Sequence, residues 1–134
     1  MAGFWPTPAA DAVNPVFANI LNNTPKIVFS RTLERADWKF TRLVRELHKE
    51  EILGWKQQPG KNMMVFGSGT IVQELTNLGL LDEYQLMVNP VILAKGKPLF
   101  NDIKDRINLK LLDTKTFSSG FILLKYQPAK YVDP

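Results

Sequence analysis

The stretch from Asn62 to Leu78, NMMVF followed by GSGT and IVQELTNL, constrains this chain more than any other part of it. An apolar run from Asn62 to Phe66 gives way, within a few residues, to Ile71, Val72, Leu75 and Leu78, which share one face at helical spacing. Between them lies Gly67-Ser68-Gly69-Thr70, whose glycines allow a sharp change of direction. The spacing predicts a short buried strand, a glycine turn, and a helix that closes at Gly79. Strand, tight turn and helix in that order belong to α/β folds, where helices cross over between parallel strands.

The flanking sequence extends this pattern. Asn14-Pro15 reads as an N-cap with proline in the first helical position, opening a helix through Ala18 and Leu21 that ends near Asn22-Asn23. Lys26 to Ser30 is a short β-branched apolar run, as in a buried strand. Thr41 to Glu46 alternates poorly, but Leu43 and Val44 allow a strand. From Leu47 to Gln58 the residues Leu47, Ile52 and Trp55 fall on one side, predicting a helix that Pro59-Gly60 ends. Tyr84 to Leu93 is nearly continuous apolar sequence, read as a buried strand with a kink or bulge at Asn89-Pro90. Leu109 to Phe117, a Ser118-Ser119-Gly120 turn and Phe121 to Tyr126 form a hairpin. The expected architecture is therefore α/β, a mostly parallel sheet with an antiparallel C-terminal hairpin. With no repeat or linker, residues 1–134 are read as a single domain. Phe4 and Trp5 near the start must pack on the body or be covered by something that normally precedes them.

Several functional classes are excluded by composition. There is no cysteine, hence no disulfide, thiolate nucleophile or cysteine-ligated zinc, which fits a reducing compartment. His48 is the sole histidine and sits beside Lys49, Glu50 and Glu51, so a solvated helix face is expected there and no metal site. No apolar run approaches the roughly 18 to 20 residues that cross a bilayer, and MAGFWPTP lacks the features of a signal peptide. A cytoplasmic protein without a membrane partner is expected. The net charge of +4 is scattered along the chain, so a nucleic-acid module ranks last and no nucleic-acid partner is expected. Asp11, Asp37, Asp82, Glu83, Asp102 and Asp105 form no paired pattern, Asp82-Glu83 reading as a solvated turn, and no catalytic acid is assigned.

Two elements carry possible chemistry. At the start of a helix, Gly67-Ser68-Gly69-Thr70 would present unpaired N–H groups and a partial positive charge to an anion, with glycines permitting close approach. It is neither a P-loop, lacking the Lys-Ser/Thr pair, nor a Rossmann fingerprint, lacking the third glycine. Taken alone, a glycine turn between a strand and a helix is more often just a tight connection. The second element is Ser30-Arg31-Thr32. In a parallel sheet it would finish at the same carboxyl edge as the strand ending at Gly67, where ligands of open α/β sheets bind. Hydroxyls beside a guanidinium suit a phosphate monoester, such as the 2′-phosphate that distinguishes NADPH from NADH. The alternative is a surface arginine after a strand.

The succession KIVFSRTL, WKFTRLVRE, LGWKQQPGKNMMVFGSGTIVQEL, LGLLDEYQLMVNPVILAKGKPLF and the closing FILLKYQP resembles the C-terminal reductase domain of riboflavin-biosynthesis deaminase-reductases, a dihydrofolate-reductase-like family. The resemblance runs from about Gly3 to Gln127. It implies a three-layer α/β fold and an NADPH-dependent reductase acting on a small heterocyclic substrate, related to 5-amino-6-(5-phosphoribosylamino)uracil reductase and dihydrofolate reductase. It places Ser30, Arg31 and Thr32 near the adenosine 2′-phosphate, and Gly67, Ser68, Gly69 and Thr70 at the pyrophosphate with Ile71 beside it. Asn89, Pro90 and Val91 match a block near the active-site floor. Gly96, Leu99 and Phe100 match a loop packed over the sheet end, although Ala94 stands where many relatives have glycine.

The resemblance also implies an N-terminally truncated fold. Family members usually begin with a strand and an Asp-Gly turn, then a second strand ending in a Gly-Arg-x-Thr phosphate motif, before the segment that MAGFWP matches. That first strand lies centrally, between the strands matching Met63 to Phe66 and Tyr84 to Pro90. Losing it would remove many kcal/mol when each buried apolar side chain is worth roughly 1.5–3. Two compensations are expected as alternatives: the flanking strands close up and pair directly, or a neighbouring chain covers the gap in a homodimer. A catalytically inactive nucleotide-binding or oligomeric remnant is the alternative to a working reductase.

Overall fold

The computed structural model describes residues 1–129, which fall into two compact units, Met1–Glu51 and a second beginning at Ile52. In the first unit, α1 (Pro8–Val13) and α2 (Pro15–Asn23) pack together, with Ala10 and Ala18 fully buried. The cap of α2 is formed as expected: the Asn14 side chain accepts from the Phe17 N–H at 3.0 Å, with Pro15 in the first helical turn. Asn14→Ala leaves that N–H without its partner and is expected to cost about 1 kcal/mol, read as a lower urea midpoint at unchanged slope.

Trp5 meets Phe4 and Phe17 edge-on, with ring centroids 5.2 and 4.9 Å away, so the aromatic start packs within its own unit. Asn22 ties this corner together. Its amide donates to the Trp5 carbonyl at 2.9 Å, and its oxygen accepts from the Trp38 indole at 2.7 Å. Lys26 donates to the carbonyls of Leu21 and Thr24, both at 2.7 Å, closing the end of α2, and lies 4.7 Å over the Trp38 ring. Burial holds its ammonium below the ordinary lysine pKa.

The strands β1 (Lys26–Phe29) and β2 (Thr41–Val44) pair in parallel, Lys26 opposite Thr41 and Phe29 opposite Val44. The poorly alternating run thus contains a strand. Helix α3 (Lys49–Lys56) begins at the end of this unit and continues into the next; it is shorter than the expected Leu47 to Gln58, and His48 lies exposed just before it.

In the second unit, α4 (Gly69–Asn77) follows the glycine turn. Gly79 closes the segment at φ 66°, a conformation in which a side chain would be strained. An antiparallel sheet of order β3-β5-β4 follows, built from β3 (Tyr84–Val88), β4 (Asn108–Thr116) and β5 (Ile122–Ala129). The β4–β5 hairpin turns where expected. Phe117 N–H donates to the Phe121 carbonyl and Gly120 N–H to that of Phe117, both at 2.9 Å, with Gly120 at φ 86°. The register shifts between Leu111 and Asp113, a bulge within β4. Ile52, Leu75, Leu80 and Tyr84 form the apolar core of this unit. Asp82 is solvated as expected, and it pairs with Lys56 at 2.6 Å while Lys56 also donates to the Leu80 carbonyl at 2.9 Å.

The mixed α/β class, with a parallel pairing and an antiparallel C-terminal hairpin, is therefore present. Three details differ from expectation. Asn62 to Phe66 forms no strand, and Met63, Met64, Val65 and Phe66 are exposed. The strand from Tyr84 ends at Val88, and Asn89 to Leu93 is neither strand nor buried, with Ile92 wholly exposed. Among the described residues, β3 takes part in a ladder with β5 alone, so the two flanking segments have not closed up to pair. The reason is common to all three. A strand exists only as part of a ladder that satisfies its N–H and C=O groups. Among the described residues, parallel pairing is accordingly confined to β1 and β2.

Candidate functional site

The loop that leaves β1 is held from several sides. Ser30 N–H donates to the Val44 carbonyl at 3.0 Å, extending the parallel pairing by one residue. The Ser30 hydroxyl oxygen accepts from Leu33 N–H at 3.1 Å, turning the chain locally. The Arg45 guanidinium, just past the end of β2, donates to the carbonyls of Ser30 at 3.1 Å, of Leu33, and of Glu34 at 3.3 Å. Arg31 and Thr32 lie between these anchors, both exposed, and among the described residues neither makes a hydrogen bond or ion pair. Ser30, Arg31 and Thr32 thus share one ordered loop, with a guanidinium and a hydroxyl open to a ligand.

The second element is built by α4. Gly67 has φ 125°, which favours glycine, and the Gly67–Ser68 peptide is cis. Ser68 is the N-cap in extended conformation, and its side chain makes no capping hydrogen bond. The first backbone bond of the helix runs from Val72 N–H to the Ser68 carbonyl at 3.1 Å. The N–H groups of Gly69, Thr70 and Ile71 have no backbone acceptor among the described residues, which is the ordinary state of a helix start. A β-carbon at Gly67 or Gly69 would meet nothing within 4 Å, so the space against this backbone is open. Free amides, a free hydroxyl and the positive end of a helix dipole fit a pyrophosphate. Each element, taken separately, presents donors suited to a phosphate group. No ladder carries β1 and the Asn62–Phe66 segment to a common sheet edge, and each element is described within its own unit.

The remaining residues singled out in the sequence lie beyond β3. Asn89, Pro90 and Val91 follow the end of that strand, with Val91 N–H donating to the Asn89 carbonyl at 2.8 Å. The loop holding Leu99 and Phe100 is fastened to α4: Gln73 donates to the Leu99 carbonyl at 2.9 Å and Asn77 to that of Asp102 at 3.1 Å. Phe100 meets Tyr84 edge-on at 5.9 Å. Beneath this loop is a largely apolar hollow of about 260 Å³, lined by Tyr84, Phe100, Ile103 and Leu109 with Asp105 and Arg106. Sequence reasoning missed both this hollow and the reach of Arg45. The latter depends on the register of β1 against β2, which a poorly alternating strand does not reveal. Among the described residues no group of carboxylates and histidine is placed to hold a metal ion, and no helix is long and apolar enough to cross a membrane.

The chain is thus mixed α/β, with a glycine turn opening a helix, a Ser-Arg-Thr loop after a parallel strand and an antiparallel C-terminal hairpin. The chain belongs to the RibD C-terminal domain family, whose family model matches residues 1–123. It is similar to the uncharacterized protein YyaP of Bacillus subtilis (strain 168), with 40% identity over 107 residues, or 80% of this chain and 56% of that protein. The uncharacterized protein YwjB of the same organism is 34% identical over 65 residues, 48% of this chain and 37% of that protein. The chain thus spans about half, or less, of the length of these curated relatives.

Two solved structures share the fold. One, named as a "Putative riboflavin biosynthesis protein" from Shewanella sp. PV-4, matches with a TM-score of 0.69 at 17% identity, over 90% of this chain and 71% of its own. The other, a pyrimidine reductase-like protein from Corynebacterium diphtheriae, matches with a TM-score of 0.57 at 16% identity, over 78% of this chain and 50% of its own.

Proposed function

We propose that this chain, taken as a single domain, is a cytoplasmic NADPH-dependent reductase acting on a small heterocycle, related to the riboflavin-type pyrimidine reductases and dihydrofolate reductase. What supports the reading is that each unit, by itself, presents a set of open donors suited to phosphate. Gly67, Ser68, Gly69, Thr70 and Ile71 take the cofactor's pyrophosphate through open backbone and helix-start N–H groups. Ser30, Arg31 and Thr32 take the 2′-phosphate through a guanidinium and hydroxyls. The cofactor supplies the hydride, and the chain's residues hold and orient it. The test is titration with NADPH and NADH, followed by the fluorescence of Trp5, Trp38 and Trp55 or by calorimetry. Saturable binding that prefers NADPH is the expected result; binding of neither cofactor by a folded sample overturns the reading.

The glycine turn has its own test. Gly67→Ala places a side chain at φ 125° in open space, so its cost is backbone strain of about 1–3 kcal/mol. A turn that relaxes under that strain re-aims the following N–H groups, and pyrophosphate binding is expected to fall with NADPH and NADH alike.

A second reading, a nucleotide-binding or oligomeric remnant without turnover, is favoured by one observation. Met63, Met64, Val65 and Phe66, together with Met87 and Val88 on the edge strand β3, are all exposed. An edge strand with exposed apolar side chains, and a second exposed apolar segment, invite cover from another chain, here a second copy in a homodimer. Light scattering of the purified chain separates the two states: a concentration-dependent dimer supports the cover, and a monomer at every concentration rejects it.

A further inference from the structure

We propose that Arg45 is a positioning residue for the phosphate loop, acting through the backbone of Ser30, Leu33 and Glu34 and touching no ligand itself. The inference rests on the reading of Ser30-Arg31-Thr32 as a phosphate site. One planar guanidinium donates to three carbonyls within a five-residue stretch, at 3.1 Å to Ser30 and 3.3 Å to Glu34, with Leu33 between them. The donor fork is rigid, so accepting from it fixes the three peptide planes relative to one another. Ser30 N–H on Val44 and Leu33 N–H on the Ser30 hydroxyl hold the same stretch from its other side. Arg31 and Thr32 are the residues this frame leaves without a hydrogen bond.

The arrangement has an electrostatic consequence for an anion. Carbonyl oxygens carry partial negative charge and repel phosphate when they face it. With three of them turned onto Arg45, the loop is left presenting the donors of Arg31 and Thr32. The parallel register puts Arg45 there: Val44 lies opposite Phe29, so the residue after β2 comes level with the residue after β1. A lysine has a single ammonium on a flexible stem, and it satisfies fewer of the three carbonyls with less geometric control.

The test uses calorimetric titration of the whole chain with 2′,5′-ADP and 5′-AMP, which isolates preference for the 2′-phosphate. The variants are Arg31→Ala, Arg45→Ala, Arg45→Lys and the double Arg31→Ala/Arg45→Ala. Arg45→Ala is expected to cut the preference about tenfold or more, with Arg45→Lys recovering only part of it. The double variant is expected to lose no more than Arg31→Ala alone, because a residue that acts by placing Arg31 has nothing left to place. If Arg45→Ala keeps the preference while Arg31→Ala loses it, the positioning role is overturned and the phosphate site stands. Losses that add in the double variant overturn it too, since Arg45 would then act independently of Arg31. No preference for 2′,5′-ADP in the unaltered chain overturns the phosphate site and the role of Arg45 together. Should Arg45→Ala not fold, Arg45→Gln, which keeps part of the apolar stem and one donor group, carries the same reading.

Discussion

Tyr84→Ala is expected to destabilise the second unit by about 3–5 kcal/mol, the cost of emptying an aromatic site in a packed core. Tyr84 is 6% exposed and is the largest buried side chain among the described residues. It is the first residue of β3, its ring meets Phe100 edge-on, and its hydroxyl donates to Thr76 Oγ1 at 3.2 Å on the buried side of α4. The substitution thus loosens a strand, a helix and the Phe100 loop at once, and enlarges the hollow that already lies beside them. Against a typical total stability of about 5–15 kcal/mol, a loss of this size is a large fraction. Tyr84→Phe, which keeps the ring and removes the hydroxyl, is expected to cost about 1 kcal/mol. Urea unfolding followed by circular dichroism checks both. An unchanged midpoint for Tyr84→Ala would mean that this corner contributes nothing to the cooperative unit.

Arg31→Ala is expected to weaken NADPH binding by about 10- to 100-fold while leaving NADH binding nearly unchanged. The size follows from removing a charge-assisted contact worth about 1.5–3 kcal/mol. The selectivity follows from the two cofactors differing only in the phosphate that Arg31 is proposed to meet. The side chain is exposed and, among the described residues, makes no hydrogen bond or ion pair, so its loss leaves the anchors of the loop, Arg45 on Ser30 and Leu33 N–H on the Ser30 hydroxyl, in place. Because the interaction is between an exposed cation and an anion, the NADPH preference is also expected to shrink as salt is raised. Equal weakening of both cofactors would point to a distorted loop, and no weakening of either would remove Arg31 from the site.

How much of this could be read in advance depended on whether a signal was local. Asn14-Pro15, the Gly67–Thr70 turn with the helix after it, and the Ser118-Ser119-Gly120 hairpin were all legible, because a cap, a glycine with positive φ and a helical period act over a few residues. The family resemblance was legible for a related reason: it rested on the order of such local blocks, and the family match over residues 1–123 bears it out. Asn62–Phe66 and Asn89–Leu93 were misread as strand, because apolar β-branched sequence makes strand available and only a neighbouring ladder realises it.

The candidate site divides along the same line. Which residues are candidates for phosphate, Ser30-Arg31-Thr32 and Gly67 to Ile71, rests on side chains and glycines, and the sequence by itself determined that choice, along with α2, α4, the closing hairpin and the absence of cysteine chemistry. Tertiary structure decided which main-chain groups remain free. It set the register that brings Arg45 against Ser30, Leu33 and Glu34, the joining of Tyr84 to Thr76 and Phe100, and the exposed edge of β3. Each of these is set by how separate elements meet, a geometry that no stretch of neighbouring residues contains.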